Sequence, residues 1–361
     1  MWIASREEIA DNSSINRERG KDMGHSKIKG VFLANPDGFR IRYVFGAGRR
    51  EQYERVLDLC PELICRDNLQ KHRDFLRETE IMIATWEMPR LSEAELAEYF
   101  PNLKLLIYVA GSVQKFARSY LHRGVRIASA WGVMSIPVAE WTVSAIIHAN
   151  KGFYRSLAVY QEKEYDEAHW QILKEFPGTY HTKVGILGAG MIGSRVIEML
   201  REYDAEVMVF DPFLSEEKAK RLQIERTYSL EEIFSRCQTI SNHLANNPQT
   251  VHMLDYSLFS RMKPNAAFIN SGRGAQVVEE DLIRALKEEP DRTAVLDVTW
   301  PEQAKSEFLA MSNVFCTPHI AGFAAEEVLR MADVMLDVLR EYLDHGKLMY
   351  EVTEDMLETM A

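Results

Sequence analysis

From Lys27 to Ser129 short apolar runs alternate with longer mixed segments. KIKGVFLAN, ELIC, EIMIAT, LKLLIYVAG and VRIAS are rich in β-branched residues and predict strands, while RREQYERVLDL and SEAELAEYF between them repeat apolar residues at helical spacing. Alternation of this kind builds a parallel sheet, so the region is one α/β unit. The rhythm returns from Lys183 to Pro318, where KVGILGAG, EVMVF, TISNHL, AAFIN, TAVLDV and NVFCTP read as strands of a second α/β unit. Between the two lies SIPVAEWTVSAIIHAN, with Ser135 and Pro137 as helix-start signals and Glu140 the only acidic or basic residue other than histidine from Ile136 to Asn150. A helix apolar nearly all round must be buried, between domains or between subunits. Lys151 to Thr182 is polar and aromatic, with Pro177-Gly178 as a breaker, and EEVLRMADVMLDVLREYLDHG near the end predicts a long amphipathic helix stopping at Gly346.

Length and composition narrow the classes. At 361 residues the chain suggests two domains, at roughly 100–200 residues each, and hence room for a cleft. An apolar fraction of 46% with 27% charged residues is that of a soluble globular protein. The net charge of -11 argues against nucleic acid and anionic membrane surfaces as partners, but not against a small anionic substrate, which one buried Arg can bind. Cys60, Cys65, Cys237 and Cys316 form no CxxC pair and no zinc-like cluster, so no metal site is expected and a reduced, cytoplasmic setting is the simplest. Residues 1–25 mix both charge signs without the apolar core of a signal peptide and read as a polar extension. No apolar run approaches the ~20 residues of a membrane span.

Gly188, Gly190 and Gly193 satisfy G-x-G-x-x-G, a weak signal alone in a chain with 19 glycines. The setting strengthens it. Val184 to Leu187 is a short apolar strand, and Ile192, Val196 and Leu200 follow at helical spacing, which puts the glycines on a strand-to-helix turn. There Gly188 permits the tight turn, Gly190 admits a pyrophosphate to the backbone, and Gly193 lets the helix pack close to the sheet. The free N–H groups of the helix start suit the phosphates. Asp211 closes the next apolar run, near the offset of ~20 residues at which a carboxylate meets a ribose 2′-hydroxyl. A 2′-phosphate would be repelled there, so NAD is favoured over NADP.

Three downstream stretches carry chemistry: INSGRGAQVVEEDL, AVLDVTWPEQ and FCTPHIAGF. Here the chain resembles the D-isomer-specific 2-hydroxyacid dehydrogenases. Asn270, Arg273 and Gly274 meet the pattern N-x-x-R-G; Asp297, Val298 and Glu302 meet D-V-x-x-x-E; Thr317, Pro318, His319, Ile320 and Gly322 meet T-P-H-I-x-G. SNHLANNPQTVHML and MSIPVAEWTVSAI resemble two further family segments, so the likeness runs over most of the chain. Oxidising a 2-hydroxy acid needs a base for the hydroxyl proton as hydride leaves C2, and His319 suits that role near neutrality. Glu302 is the carboxylate that would orient it and favour the imidazolium. Arg273 can grip the substrate carboxylate with its planar fork and polarise the carbonyl. Singly, each has an ordinary structural explanation; their order behind a dinucleotide turn is what points to chemistry.

The resemblance implies more. It puts cofactor contacts at Met191 and Ile192 on the helix start, at Pro212 beside Asp211, and at His243, Asn247 and Thr250. It adds Ser271, Gly272 and Arg273, with Asp297 and His319 near the nicotinamide. It assigns the substrate carboxylate to the backbone of Ala110, Gly111 and Ser112 together with Arg273, although AGSVQK departs from the usual G-x-G-x-D-N and leaves substrate identity open. Ala245 and Val278 also depart from the pattern without touching the proposed chemistry. Trp86 and Trp300 read first as packing residues.

The implied architecture is α/β with two Rossmann-like domains, a flavodoxin-like substrate domain and an NAD-binding Rossmann domain, and the active site in the cleft between them. The expected bounds are 26–130 plus 335–361 for the substrate domain and 131–334 for the NAD domain. The chain then crosses between domains twice, which suggests hinge closure over substrate. The apolar helix around Ala139 to Ala149 resembles the family's dimerisation element and implies a homodimer. The expected function is hydride transfer between NAD(H) and a small D-2-hydroxy or 2-keto acid. Two rivals stand beside it. Formate dehydrogenases resemble D-V-W-x-P-Q where this chain has Glu302, and an NAD-responsive binding module like the C-terminal binding protein corepressors could keep the same three residues.

Overall fold

Ile81–Ala84 and Leu105–Tyr108 are buried at every position, which is why they appear as unbroken apolar runs: a parallel strand is covered on both faces. The structure, a computed structural model, describes residues 27–322 and 324–358 and contains two such sheets. The polar extension expected over residues 1–25 lies outside the described residues.

In the first sheet β2 (Asp58–Leu59), β1 (Lys29–Leu33), β3 (Ile81–Ala84), β4 (Leu105–Tyr108) and β5 (Arg126–Ser129) run parallel in that order. This is the flavodoxin-like order. The register carries Val31, Met82, Leu106 and Ile127 into one core layer, while Phe32, Ile83, Ile107 and Ala128 fill the other. The second sheet orders β8 (Glu225–Thr227), β7 (Glu206–Phe210), β6 (Lys183–Leu187), β9 (Thr239–Asn242), β10 (Ala267–Asn270), β11 (Thr293–Leu296) and β12 (Val314–Cys316), all parallel. That is the doubly wound Rossmann order, and its direction reverses between β6 and β9, where such sheets open a crevice for ligands.

Two connections join the units. The helix Trp131–Asn150 starts against the first unit through Val133 and Met134 and ends in the second through Ala139, Val143 and Ile146. It begins four residues upstream of Ser135, and Pro137 sits inside it. The earlier start follows from packing: Trp131 stacks edge-on against Tyr350, and Val133 is buried. The helix Ala325–His345 returns the chain, burying Val328, Met331, Met335 and Leu339 against the first sheet, where Tyr53 donates a 2.9 Å hydrogen bond to the Ala332 carbonyl. The chain then adds β13 (Glu351–Val352) antiparallel to β5.

Other differences from the sequence pattern have local causes. ELIC contributes only a single bridge from Ile64 to Leu33, because the edge strand β2 forms just before it. β8 and β13 are too short to show a period. Lys151 to Thr182 is largely helical, as Phe153–Glu162 and Tyr165–Glu175, and leaves Leu157, Tyr160, Tyr165, Trp170 and Leu173 exposed. By contrast Ala139, Val143, Ala145, Ile146 and Ala149 of the apolar helix are buried within the chain itself. No described helix is long and apolar enough to cross a membrane, and no described cluster of His, Cys, Asp and Glu could hold a metal.

Candidate active site

Parallel strands deliver their next loops to the same edge of a sheet, so the seven segments singled out in the sequence leave the carboxyl ends of β4 in the first sheet and of β6, β7, β9, β10, β11 and β12 in the second. At the β6 edge Gly188 has φ +88, and a Cβ there would lie 2.7 Å from the His243 carbonyl oxygen. A Cβ on Gly193 would lie 2.0 Å from the Gly188 oxygen, so only glycine allows the helix Met191–Leu200 to begin this close to the strand. A Cβ on Gly190 would meet nothing. No acidic side chain occupies the helix's first turn, leaving its N–H groups open to an anion. Asp211 accepts the Ala189 N–H and the Phe213 N–H, each at 2.8 Å, which locks the strand end to the glycine turn. Lys218, which belongs to no motif, donates to the Ala189 carbonyl at 2.6 Å. Burial pushes its ammonium down, against the upward pull of Asp211.

The Arg273 loop is held by buried amides. Asn242 donates to Asn270 Oδ1 at 3.1 Å and to Gln276 Oε1 at 2.6 Å; Gln276 in turn donates to the Leu244 and Ala245 carbonyls, and Asn270 to the Arg273 carbonyl. Asn242 and Gln276 escaped the sequence analysis; the available signal was a polar residue closing or following an apolar strand. Arg273 donates to the Gly272 carbonyl, and burial pushes its guanidinium down while Glu302 pulls it up. Ser271 pairs with Thr142 of the crossing helix at 3.0 Å.

Asp297, at the end of β11, is 2% exposed. Its carboxylate accepts the Thr317 hydroxyl at 2.7 Å, the Ile320 N–H at 2.8 Å and the Ala321 N–H at 3.1 Å, while its carbonyl accepts the His319 N–H. His319 is thus held in a left-handed conformation, φ +55. That conformation costs about 1–2 kcal/mol for a residue with a Cβ, and each hydrogen bond to a charged group contributes about 1.5–3 kcal/mol, so the latch outweighs the strain. His319 Nδ1 lies 3.5 Å from Glu302 Oε1.

On the opposite side, Ser129 donates to the Ala110 and Gly111 carbonyls and fixes the peptide planes of the loop after β4. Met134 lies against both Gly111 and Gly322, so that loop and the His319 loop meet over the start of the crossing helix. Ala110 is buried and Ser112 exposed. Asn247 and Thr250 spend their side chains on a turn of their own, Thr250 donating to the Ala245 carbonyl and Asn247 accepting the Gln249 N–H. Met191 and Pro212 are exposed at the glycine turn, and Ile192 is half-buried there.

Residues 143–321 match the D-isomer specific 2-hydroxyacid dehydrogenase, NAD binding domain. Over this stretch the chain carries that family's NAD-binding domain. The putative 2-hydroxyacid dehydrogenase YoaD of Bacillus subtilis (strain 168) is 30% identical over 209 residues, 56% of this chain and 60% of that protein. The D-3-phosphoglycerate dehydrogenase of Methanocaldococcus jannaschii is 30% identical over 217 residues, 59% of this chain and 40% of that protein. The chain therefore spans 40% to 60% of the lengths of these relatives. The solved structure of apo D-mandelate dehydrogenase from Rhodotorula graminis has the same fold, with a TM-score of 0.74 over 91% of this chain and 98% of that one at 20% identity. The cofactor of the family domain is NAD. The residues present fit it: the open space over Gly190, the free helix start and the carboxylate of Asp211 are the cradle that a dinucleotide needs.

Gly193→Ala is expected to push the helix off the strand and weaken NADH binding by at least ~10-fold, measured by quenching of protein fluorescence; unchanged affinity would contradict the cradle. A second expectation concerns His243, whose Nδ1 is sealed from solvent without a partner and whose Nε2 meets the Ser241 hydroxyl at 2.9 Å. Burial pushes its imidazole down to about 3 from 6.5. Between those values the unfolded chain binds the extra proton, so stability falls as pH drops from 6.5 towards 3. In denaturant titrations His243→Asn should show a shallower decline over this window than the wild type, and equal slopes would refute the assignment.

Proposed function

We propose that this protein is an NAD-dependent D-2-hydroxyacid dehydrogenase, moving a hydride between NAD(H) and a small 2-keto or 2-hydroxy acid. The observation that carries this reading is the approach of His319 Nδ1 to Glu302 Oε1, 3.5 Å apart, beside a desolvated Arg273. NAD, when bound, supplies the hydride donor or acceptor. With Nδ1 turned to Glu302, His319 exchanges the substrate proton at Nε2, and the carboxylate supports the imidazolium that forms. Arg273 binds the substrate carboxylate and draws charge onto the carbonyl oxygen, both stronger in a site poor in water. The backbone of Ala110, Gly111 and Ser112 adds donors to the same carboxylate. Glu302 also favours this chemistry over formate oxidation, which needs no proton from a hydroxyl.

In the same reading residues 26–130 with 335–361 take the substrate and 131–334 the cofactor. Glu302 is 73% exposed, and an ion pair so open to water is worth little. Closure of the units over substrate would dry it, and the two crossings between units are the hinge. Exposed apolar side chains on Phe153–Glu162 and Tyr165–Glu175 support a homodimer, and four free thiols suit the cytoplasm.

NADH consumption should be measured on a panel of 2-keto acids. Turnover on at least one is expected, with His319→Ala losing ~10²–10⁴-fold; tight NADH binding without turnover on any would favour a regulatory binding module instead. Solution scattering at micromolar concentration should give twice the mass of one chain and contraction on adding NADH with an unreactive substrate analogue. Trp170→Asp combined with Leu173→Glu should halve that mass. A monomeric wild type, or no contraction, would remove the dimer or the hinge respectively.

A further inference from the structure

Glu279 opens the helix Glu279–Glu288 and is 5% exposed, whereas its neighbour Glu280 projects into solvent as first-turn acids usually do. Its Oε1 accepts the Trp300 N–H at 2.7 Å, and its Oε2 lies 3.4 Å from Lys305 Nζ, which also pairs with Glu280. The Trp300 peptide stands two residues before Glu302.

That loop has little else to hold it. The Trp300 side chain is 60% exposed, and Pro301, Glu302 and Gln303 are exposed as well, so no apolar side chain anchors the segment. What fixes it is backbone contact. A Cβ on Gly274 would lie 2.1 Å from the Thr299 carbonyl carbon, so the segment after Arg273 lies directly on the Thr299–Trp300 peptide, and Thr299 Oγ1 donates to the Pro301 carbonyl at 2.9 Å. After burial, the charge of Glu279 is the other influence that raises the thiol of Cys316, three residues before His319.

We propose that Glu279 is a positioning residue, whose buried carboxylate fixes the Trp300 peptide and thereby holds Glu302 within reach of His319. A charged acceptor makes a bond roughly twice as strong as a neutral one, which suits a loop that no apolar side chain anchors. The kinetic consequence rests on the dehydrogenase reading; the geometric one does not.

The test compares Glu279→Met, Glu279→Gln, Glu302→Gln and the double variant Glu279→Met/Glu302→Gln. Glu279→Met is expected to lower kcat by ~10-fold or more with NADH affinity within ~2-fold of wild type, and to cost little further on the Glu302→Gln background, since both changes remove one contribution. Glu279→Gln, which keeps an acceptor for Trp300, should recover most of the loss. In crystal structures the Glu302 carboxylate should leave His319 in Glu279→Met and stay near it in Glu279→Gln. Equal losses on both backgrounds, or Glu302 unmoved in Glu279→Met, would overturn the proposal. If Glu279→Met does not fold, Glu279→Gln decides: a loss as deep as that of Glu302→Gln with Glu302 still in place overturns it. If the wild type turns over no 2-keto acid, the dehydrogenase reading fails, and the crystal structures alone judge the positioning.

Discussion

The carboxylate of Asp297 sits dry at the end of β11 with three donors of the next loop turned onto it. A buried carboxylate is tolerated only when its oxygens are satisfied, so the Thr317–Ala321 segment has little freedom once β11 and β12 have paired. His319 inherits its backbone conformation from that requirement. The Asp297 N–H also donates to the Asn270 carbonyl at 3.0 Å, which ties the end of β10, and hence the Arg273 loop, to the same point. Three neighbouring strands thus hand their functional side chains to a common frame set by interior hydrogen bonds.

The two ends of the cleft use different physics. At the glycine turn the constraint is steric: the backbone of Gly188 and Gly193 comes so close that no side chain fits, and the helix start is left free of acids to face an anion. At the end formed by the loops after β10, β11 and β12 the constraint is polar, with Asn242, Asn270, Gln276, Glu279 and Asp297 all buried and hydrogen-bonded to backbone or to each other. Buried polar groups of this kind are costly if one partner is lost, which makes the loops stiff. The chain's net charge of -11 does not set the character of the site; one desolvated guanidinium, Arg273, does.

Much of this was legible in the residues. The unbroken apolar runs of β3, β4, β6, β7, β10 and β11 announced two parallel sheets because strands covered on both faces have no polar side. Gly188, Gly190, Gly193 and Asp211 announced the cofactor because that turn tolerates so few residue types. What escaped was of two kinds. β2, β8 and β13 are two or three residues long, and pairing to a neighbour defines them. Asn242, Gln276, Lys218 and Glu279 are ordinary polar residues in sequence, and only the contacts they make across 21 to 34 positions give them a role.

By itself, then, the sequence determined the fold class, the cofactor turn and the residue types available for acid/base chemistry, because each depends on local period, local sterics or intrinsic side-chain chemistry. Only the tertiary structure decided that the crossing helix starts at Trp131 and spends its apolar side within the chain, that His319 is held left-handed by Asp297, and that Glu302 hangs on a loop pinned by Glu279. Those outcomes follow from which buried hydrogen-bonding group finds which distant partner, and a linear pattern carries no record of that pairing.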